Sequence, residues 1–348
     1  MRIACAAFAA LLAACAVTAQ PALAQNVKIT PIGSHPGELC ANDRAIVFED
    51  PTGVRVLYDA GPTVTGGNDP RLGTIHVVLL THMHGDHVGD LKLKAPGEGT
   101  CANSARVPAP NSTTAEVVAA KNAVLVTTRA MAGFVHNKVD AIHASGSAAK
   151  PMDFCPTLAV SVPVAAACSS RIDLGGVFTA KTEGARDGVE FTIVYSLHDN
   201  AVSPALLTKP QQEILKADGA QLQYGPPVGF VVKFTNGLVV YLSSDTAVFG
   251  DMKSVIHDYH KASLAVINLG PNPGLFQSGA YAINDLLQPA SVIFTHVNEI
   301  GTEGGKLRAG SQTAALMKNV KAPAYLAISE RTMEFDGMGK CVSGCGRP

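Results

Sequence analysis

Three imidazoles and one carboxylate crowd into six positions of this chain, His82-Met83-His84-Gly85-Asp86-His87. They follow the run His-Val-Val-Leu-Leu-Thr at 76–81, which has no polar face. That is the pattern of a strand buried on both sides. Imidazole and carboxylate are the usual ligands of zinc and related divalent ions. Gly85 is expected to free the backbone for a tight turn, so that alternating side chains converge. Asp86 and His87 would then open the next helix. The bland alternative is a solvated loop in which Asp86 only caps that helix. Three histidines and an aspartate at one strand end argue against it.

Around this string, alternation and turn residues predict strands at 27–32, 44–49 and 54–59, the last two a hairpin across Asp50-Pro51-Thr52-Gly53. Segment 96–115 is rich in Gly, Pro, Asn and Ser and reads as a loop. Segments 115–126 and 129–144 fit helix or strand. Strands follow at 178–182 and 190–197. Segment 203–217 has helical composition behind Pro204 and suits a lid or edge insertion. A hairpin at 228–234 and 238–243 turns over Asn236-Gly237. Then helix 249–260, strand 264–268, helix 279–287, strand 291–295, helix 311–320 and strand 324–328 alternate. Such an order gives mixed sheets covered by helices. No linker interrupts it, so a single domain is expected over 25–348.

Residues 1–24 read as a secretory signal. Arg2 precedes an apolar run at 3–14, and Ala22-Leu23-Ala24 offers a cleavage site before Gln25. The protein is therefore expected to be periplasmic or secreted. Leu12-Ala13-Ala14-Cys15 also fits a lipobox, and the alternative is a lipoprotein anchored through Cys15. No later segment is long and apolar enough to span a bilayer. The six other cysteines, Cys40, Cys101, Cys155, Cys168, Cys341 and Cys345, suggest up to three disulfides in an exported chain. Connectivity stays open, although Cys155 and Cys168, and Cys341 and Cys345, are close in sequence. The rival reading, a zinc site at Cys341 and Cys345, lacks a second ligand pair. With 27 basic and 28 acidic residues, the net charge is −1. Electrostatics therefore favour a small-molecule substrate over nucleic acid. Oligomeric state is not legible.

The His-x-His-x-Asp-His string resembles the signature of the metallo-β-lactamase fold superfamily. Leu57-Tyr58-Asp59-Ala60-Gly61 resembles that family's early strand ending in Asp and Gly. The resemblance implies an α/β fold, a four-layer αβ/βα sandwich of two mixed β-sheets flanked by helices. It also implies further metal ligands just past three later strands. Here those positions hold His198, Asp245 and His296. The alternatives are structural strand-end histidines and an N-cap or Asx-turn at Asp245. The implied set is His82, His84 and His198 for one divalent ion and Asp86, His87 and His296 for another, with Asp245 shared. An open position remains for water. Zinc is expected, and because no cysteine belongs to the set, manganese and iron remain alternatives. Asp86 and Asp245 are the catalytic candidates, as proton relays. Asp59 would orient a ligand histidine from behind. His35 is a candidate pocket residue, and Asn298 and Glu299 are candidates for touching substrate. His76, His136, His143, His257 and His260 are read as structural.

Residues 242–252, Leu-Ser-Ser-Asp-Thr-Ala-Val-Phe-Gly-Asp-Met, resemble the bridging-Asp segment of the lactonase-like branch and of tRNase Z. The further histidine that tRNase Z would place between Asp245 and His296 is missing from 268–273. True metallo-β-lactamases carry Cys or another non-carboxylate at the Asp245 position. The resemblance therefore implies an exported dinuclear hydrolase using a metal-bridging hydroxide on a small lactone, ester or phosphoester. β-Lactamase activity, a mononuclear iron dioxygenase acting on persulfides, and a non-catalytic metal-binding protein are the alternatives. Segments 96–190 and 200–227 depart most from the family pattern, and substrate would be chosen there.

Overall fold

The computed structural model describes residues 26–270 and 273–346; the expected leader and Cys15 lie outside the described residues. Apolar runs too short for helices become strands buried along their whole length: Val77–Leu79, Val124–Val126, Leu264–Asn268 and Ser291–Thr295. Strands of this kind need cover on both faces, and the architecture supplies it.

One sheet has nine strands. From one edge to the other they are Asp153–Phe154, Cys168–Ser169, Val124–Val126, Val77–Leu79, Arg55–Tyr58, Ile46–Glu49, Val27–Pro31, Met333–Phe335 and Cys341–Ser343. Its centre is parallel, with Val77–Leu79 between Arg55–Tyr58 and Val124–Val126. The second sheet has eight strands: Ala159–Val162, Val177–Thr182, Val189–Tyr195, Val228–Lys233, Val239–Leu242, Leu264–Asn268, Ser291–Thr295 and Ala324–Leu326. Its last four are parallel. The sheets face each other. Phe48 stacks on Phe234 at 5.9 Å, the Tyr58 hydroxyl accepts from the Ser244 N–H at 3.0 Å, and Asp50 accepts from the Thr235 N–H at 2.8 Å. Helices Thr113–Lys121 and Arg129–Ala144 cover the first sheet. Met252–Tyr259, Pro273–Tyr281, Ala282–Leu287 and Gln312–Met317 cover the second. The result is the expected four-layer sandwich of two mixed sheets.

The ambiguous stretch 115–126 resolves into a helix and a strand. Asn122 takes a left-handed conformation (φ 48°), which ends Thr113–Lys121 and turns the chain into Val124. Segment 129–144 is one helix, opened by Thr128 accepting from the Met131 N–H. The single helix expected at 203–217 is instead a short turn, Pro204–Leu206, and a separate helix, Lys209–Asp218. The restart is local: the Gln211 side chain reaches back to the Thr208 N–H at 2.9 Å, half of a capping box. The cysteines pair as Cys40–Cys101, Cys155–Cys168 and Cys341–Cys345, which removes the thiolates a Cys-based zinc site would need. Among the described residues no helix is long and apolar enough to cross a membrane.

Candidate metal centre

Strand Val77–Leu79 delivers the histidine string to the carboxyl end of the first sheet. Asp59, just past the neighbouring strand Arg55–Tyr58, organises it. Its Oδ1 accepts from the Thr81 N–H at 3.0 Å, and its Oδ2 accepts from the Thr81 hydroxyl and lies 2.7 Å from His87 Nδ1. The chain then makes a single wide turn, Gly85–Gly89, closed by the Asp90 N–H on the Gly85 carbonyl at 3.0 Å. Gly85 is not in the left-handed region. A Cβ there would meet Asp90 Oδ2 at 2.3 Å, so the glycine serves close approach rather than the turn itself.

The second sheet supplies the remaining donors by one rule. His198 follows Tyr195 by three residues, as Asp245 follows Leu242 and His82 follows Leu79; His296 directly follows Thr295. All lie at carboxyl ends of strands, where an open α/β sheet leaves room for ligands. Asp59, Ser244 and His296 have φ of 40°, 60° and 47°, a left-handed geometry that costs free energy and gathers at functional sites. The His296 backbone is fixed by its N–H on the Asp43 carbonyl at 2.8 Å. Its ring packs so tightly on Gly270 that a Cβ there would lie 2.6 Å from Nδ1.

The seven side chains converge. His198 Nε2 lies 3.3 Å from His84 Nδ1, and the His82 ring centroid is 4.6 Å from that of His84 and 3.9 Å from that of His87. Asp245 Oδ2 is 3.3 Å from His87 Nε2, 3.9 Å from His198 Nε2 and 3.2 Å from His296 Nε2. His296 Nε2 is 3.5 Å from Asp86 Oδ2. Three groups bring donor atoms within 4.8 Å of one another: His82, His84 and His198; His82, His87 and Asp245; Asp86, His87 and His296.

Charge is unevenly shared across the cluster. Burial and the neighbouring His87 hold the His82 imidazole well below its ordinary range, and burial lowers His198 as well. Burial also opposes the imidazolium of His87, but Asp245, Asp59 and Asp86 outweigh it and push that ring up to about 9. Burial would raise Asp245, yet His296 and His87 keep it well below the usual carboxylate range. Four atoms aimed into the cluster, His82 Nε2, His87 Nε2, His296 Nε2 and Asp245 Oδ2, are buried without a hydrogen-bond partner. Stranding so many polar atoms together is costly. Divalent cations would satisfy them, and the nitrogen and oxygen donors suit zinc, manganese or iron.

Sequence reasoning missed the residues that hold the donors. Asn268 donates to Asp245 Oδ1 at 2.9 Å, Asn200 accepts from the Met83 N–H at 2.7 Å, and Asp199 holds His84 Nε2 at 3.1 Å. Arg44, fully buried, pairs with Asp86 at 2.5 Å. Position just past a strand was the available signal for Asp199 and Asn200, and position at a strand's last residue for Asn268; Arg44 gave none. Glu299, a candidate for substrate contact, instead accepts from the N–H groups of Gln312 and Thr313 at 3.1 and 2.7 Å and caps that helix. His35 is not among the gathered donors. His76, His136, His143 and His257 are engaged elsewhere in the fold.

No family model matches the chain. It is similar to a UPF0173 metal-dependent hydrolase of Polynucleobacter asymbioticus, 25% identical over 284 residues that cover 79% of this chain and 78% of the relative. A UPF0173 metal-dependent hydrolase of Cupriavidus taiwanensis is 25% identical over 304 residues, 82% of this chain and 84% of that one. Among solved structures, a metallo hydrolase from the archaeon Ignicoccus hospitalis superposes with a TM-score of 0.52 at 16% identity, covering 89% of this chain and 99% of the other. The paired mixed sheets show the fold of the metallo-β-lactamase fold metallohydrolase superfamily, and the chain is similar to metal-dependent hydrolases over about four fifths of its length.

Proposed function

We propose that the chain is an exported, dinuclear member of this superfamily, of the bridging-Asp, lactonase-like kind, hydrolysing a small lactone, ester or phosphoester. One observation carries the reading: a single oxygen, Asp245 Oδ2, lies 3.9 Å from His198 Nε2 and 3.3 and 3.2 Å from the Nε2 atoms of His87 and His296. His82, His84 and His198 would hold one cation, Asp86, His87 and His296 a second, with Asp245 between them. Zinc suits the set best, and manganese or iron are alternatives. Divalent ions in such a site lower the pKa of a water toward about 7 and polarise a carbonyl or phosphoryl oxygen.

The chain's own residues prepare that chemistry. Asp59 holds the Nδ1 side of His87 and leaves its Nε2 lone pair facing the cluster. Asn268 occupies Asp245 Oδ1 and leaves Oδ2 free to ligate. Asp86, with a side chain 37% exposed, is the carboxylate within reach of substrate and so the group that moves a proton. Asp245, 1% exposed, remains a ligand. Export to the periplasm or medium is supported by three disulfides and by the leader-like composition of residues 1–24.

Metal analysis followed by a panel of chromogenic lactone, ester, phosphodiester and β-lactam substrates tests the proposal. Two ions per chain and turnover lost in His84→Ala and Asp245→Ala are expected. One iron per chain with oxygen uptake would replace it with the dioxygenase reading. Nitrocefin turnover alone would replace it with a β-lactamase.

A further inference from the structure

Segment 200–227, where the chain departs most from the family pattern, is tied tightly to the metal-binding turn. Buried Asn200 clamps its base: besides accepting from the Met83 N–H, it donates to the carbonyls of Tyr224 and Gly225 at 3.2 and 2.8 Å. The Val202 N–H bonds the Leu222 carbonyl at 2.9 Å. The Ser203 hydroxyl donates to Asp90 Oδ2 at 2.5 Å, on the carboxylate that packs against Gly85. Lys138 Nζ reaches the Leu206 carbonyl at 2.7 Å. This is a fixed wall rather than a loose flap.

Between that wall and the turn lies a cavity of about 710 Å³. One end is formed by His84, Gly85 and Asp86, and its sides include Val202, Leu207, Leu215 and Leu222. Helix Lys209–Asp218 borders it and is capped at both ends, yet none of its residues is buried. A ten-residue helix is not held by propensity alone and needs an apolar face packed on something. Leu215 of this helix packs only partly against the core and, with Gln212, borders the cavity, so an occupant of the cavity would complete the packing of that face. The volume falls in the range of small-molecule sites, which are chiefly apolar with a few polar groups.

We infer that this cavity binds an apolar acyl or alkyl group of the substrate and so places an ester or lactone carbonyl at its Asp86 end. The inference rests on the hydrolase reading and narrows it, setting hydrophobic esters and lactones above small polar phosphoesters.

A series of p-nitrophenyl esters from acetate to octanoate, with the metal-loaded full chain, tests it. kcat/KM is expected to rise about fourfold per added methylene, the fold-change equivalent to about 0.8 kcal/mol per buried CH₂. Leu215→Gln and Leu222→Gln should flatten the series by lowering kcat/KM for the longer esters most. A flat or falling series in the unaltered protein overturns the inference. The neutral fluorophore N-phenyl-1-naphthylamine gives a readout independent of turnover. It should brighten on binding and lose about tenfold in affinity in either variant, and no brightening with the unaltered protein also overturns the inference. If the fluorophore binds but no ester is hydrolysed, the apolar site stands and the hydrolase reading is what fails.

Discussion

Nη1 of Arg44, a side chain with no exposed surface, lies 2.5 Å from Oδ2 of Asp86, a side chain 37% exposed. That asymmetry decides which partner matters more to the fold. Removing Asp86 strands a buried guanidinium, whereas removing Arg44 leaves a carboxylate that water can reach. In metal-stripped protein Asp86→Ala should therefore cost about 3–5 kcal/mol. Arg44→Met should cost about 1–3 kcal/mol, mostly in lost packing. Urea denaturation after chelation measures both, and equal losses would contradict the argument.

Asp59 touches no cation in the proposed arrangement, yet it fixes both Thr81 and His87. An amide cannot accept from all three donors at once. Asp59→Asn should weaken metal binding by about 10–100-fold, the usual effect of removing a carboxylate behind a ligand histidine. Competition against a chromogenic chelator reads this. Unchanged affinity would mean that the backbone alone orients His87.

The raised His87 gives the metal-free protein a pH signature. Its folded value of about 9 lies above the ordinary 6.5. The imidazolium therefore adds stability that is fully present below about 6.5 and lost as pH rises through about 9. Metal requires the neutral ring, so loading near neutral pH should expel about one proton from this residue, falling to about half a proton near pH 9 and further above it. Calorimetry in buffers of different ionisation heat counts that proton. Metal uptake near neutral pH without proton release would show that His87 is already neutral in the stripped protein.

What was legible in the sequence depended on how local each relationship is. His82, His84, Asp86 and His87 share one turn, so their meeting could be read from spacing. His198, Asp245 and His296 could be placed because the family resemblance implies ligands just past later strands, and position past a strand end survives errors of a residue or two in its limits. Arg44 carried no such mark: its ion pair with Asp86 bridges 42 positions, and nothing in its neighbours announces burial. Asn268 ends a strand that was foreseen, but its bond to Asp245 depends on the register between Val239–Leu242 and Leu264–Asn268. The pairing of Met333–Phe335 with Val27–Pro31 joins the two ends of the described chain, and short strands with ordinary composition do not advertise such partners. Glu299 shows the opposite error: a carboxylate beside a donor histidine suggested substrate, and the structure spends it on a helix end.

The Cys40–Cys101 bridge spans 61 positions, against 13 for Cys155–Cys168. On loop-closure entropy alone the first is worth about 4 kcal/mol and the second about 3 kcal/mol. The first also sits where it matters to the site. The Cys40 N–H donates to Asp43 Oδ2 at 3.0 Å, and the Asp43 carbonyl receives the His296 N–H at 2.8 Å. The bridge thus ties the 96–105 region to the backbone that carries His296. Replacing both Cys40 and Cys101 by serine should lower the denaturation midpoint more than replacing Cys155 and Cys168. It should also weaken metal binding, whereas the second pair should not. Chemical denaturation and chelator competition on the two double variants decide it, and equal metal affinity in both would detach the bridge from the site.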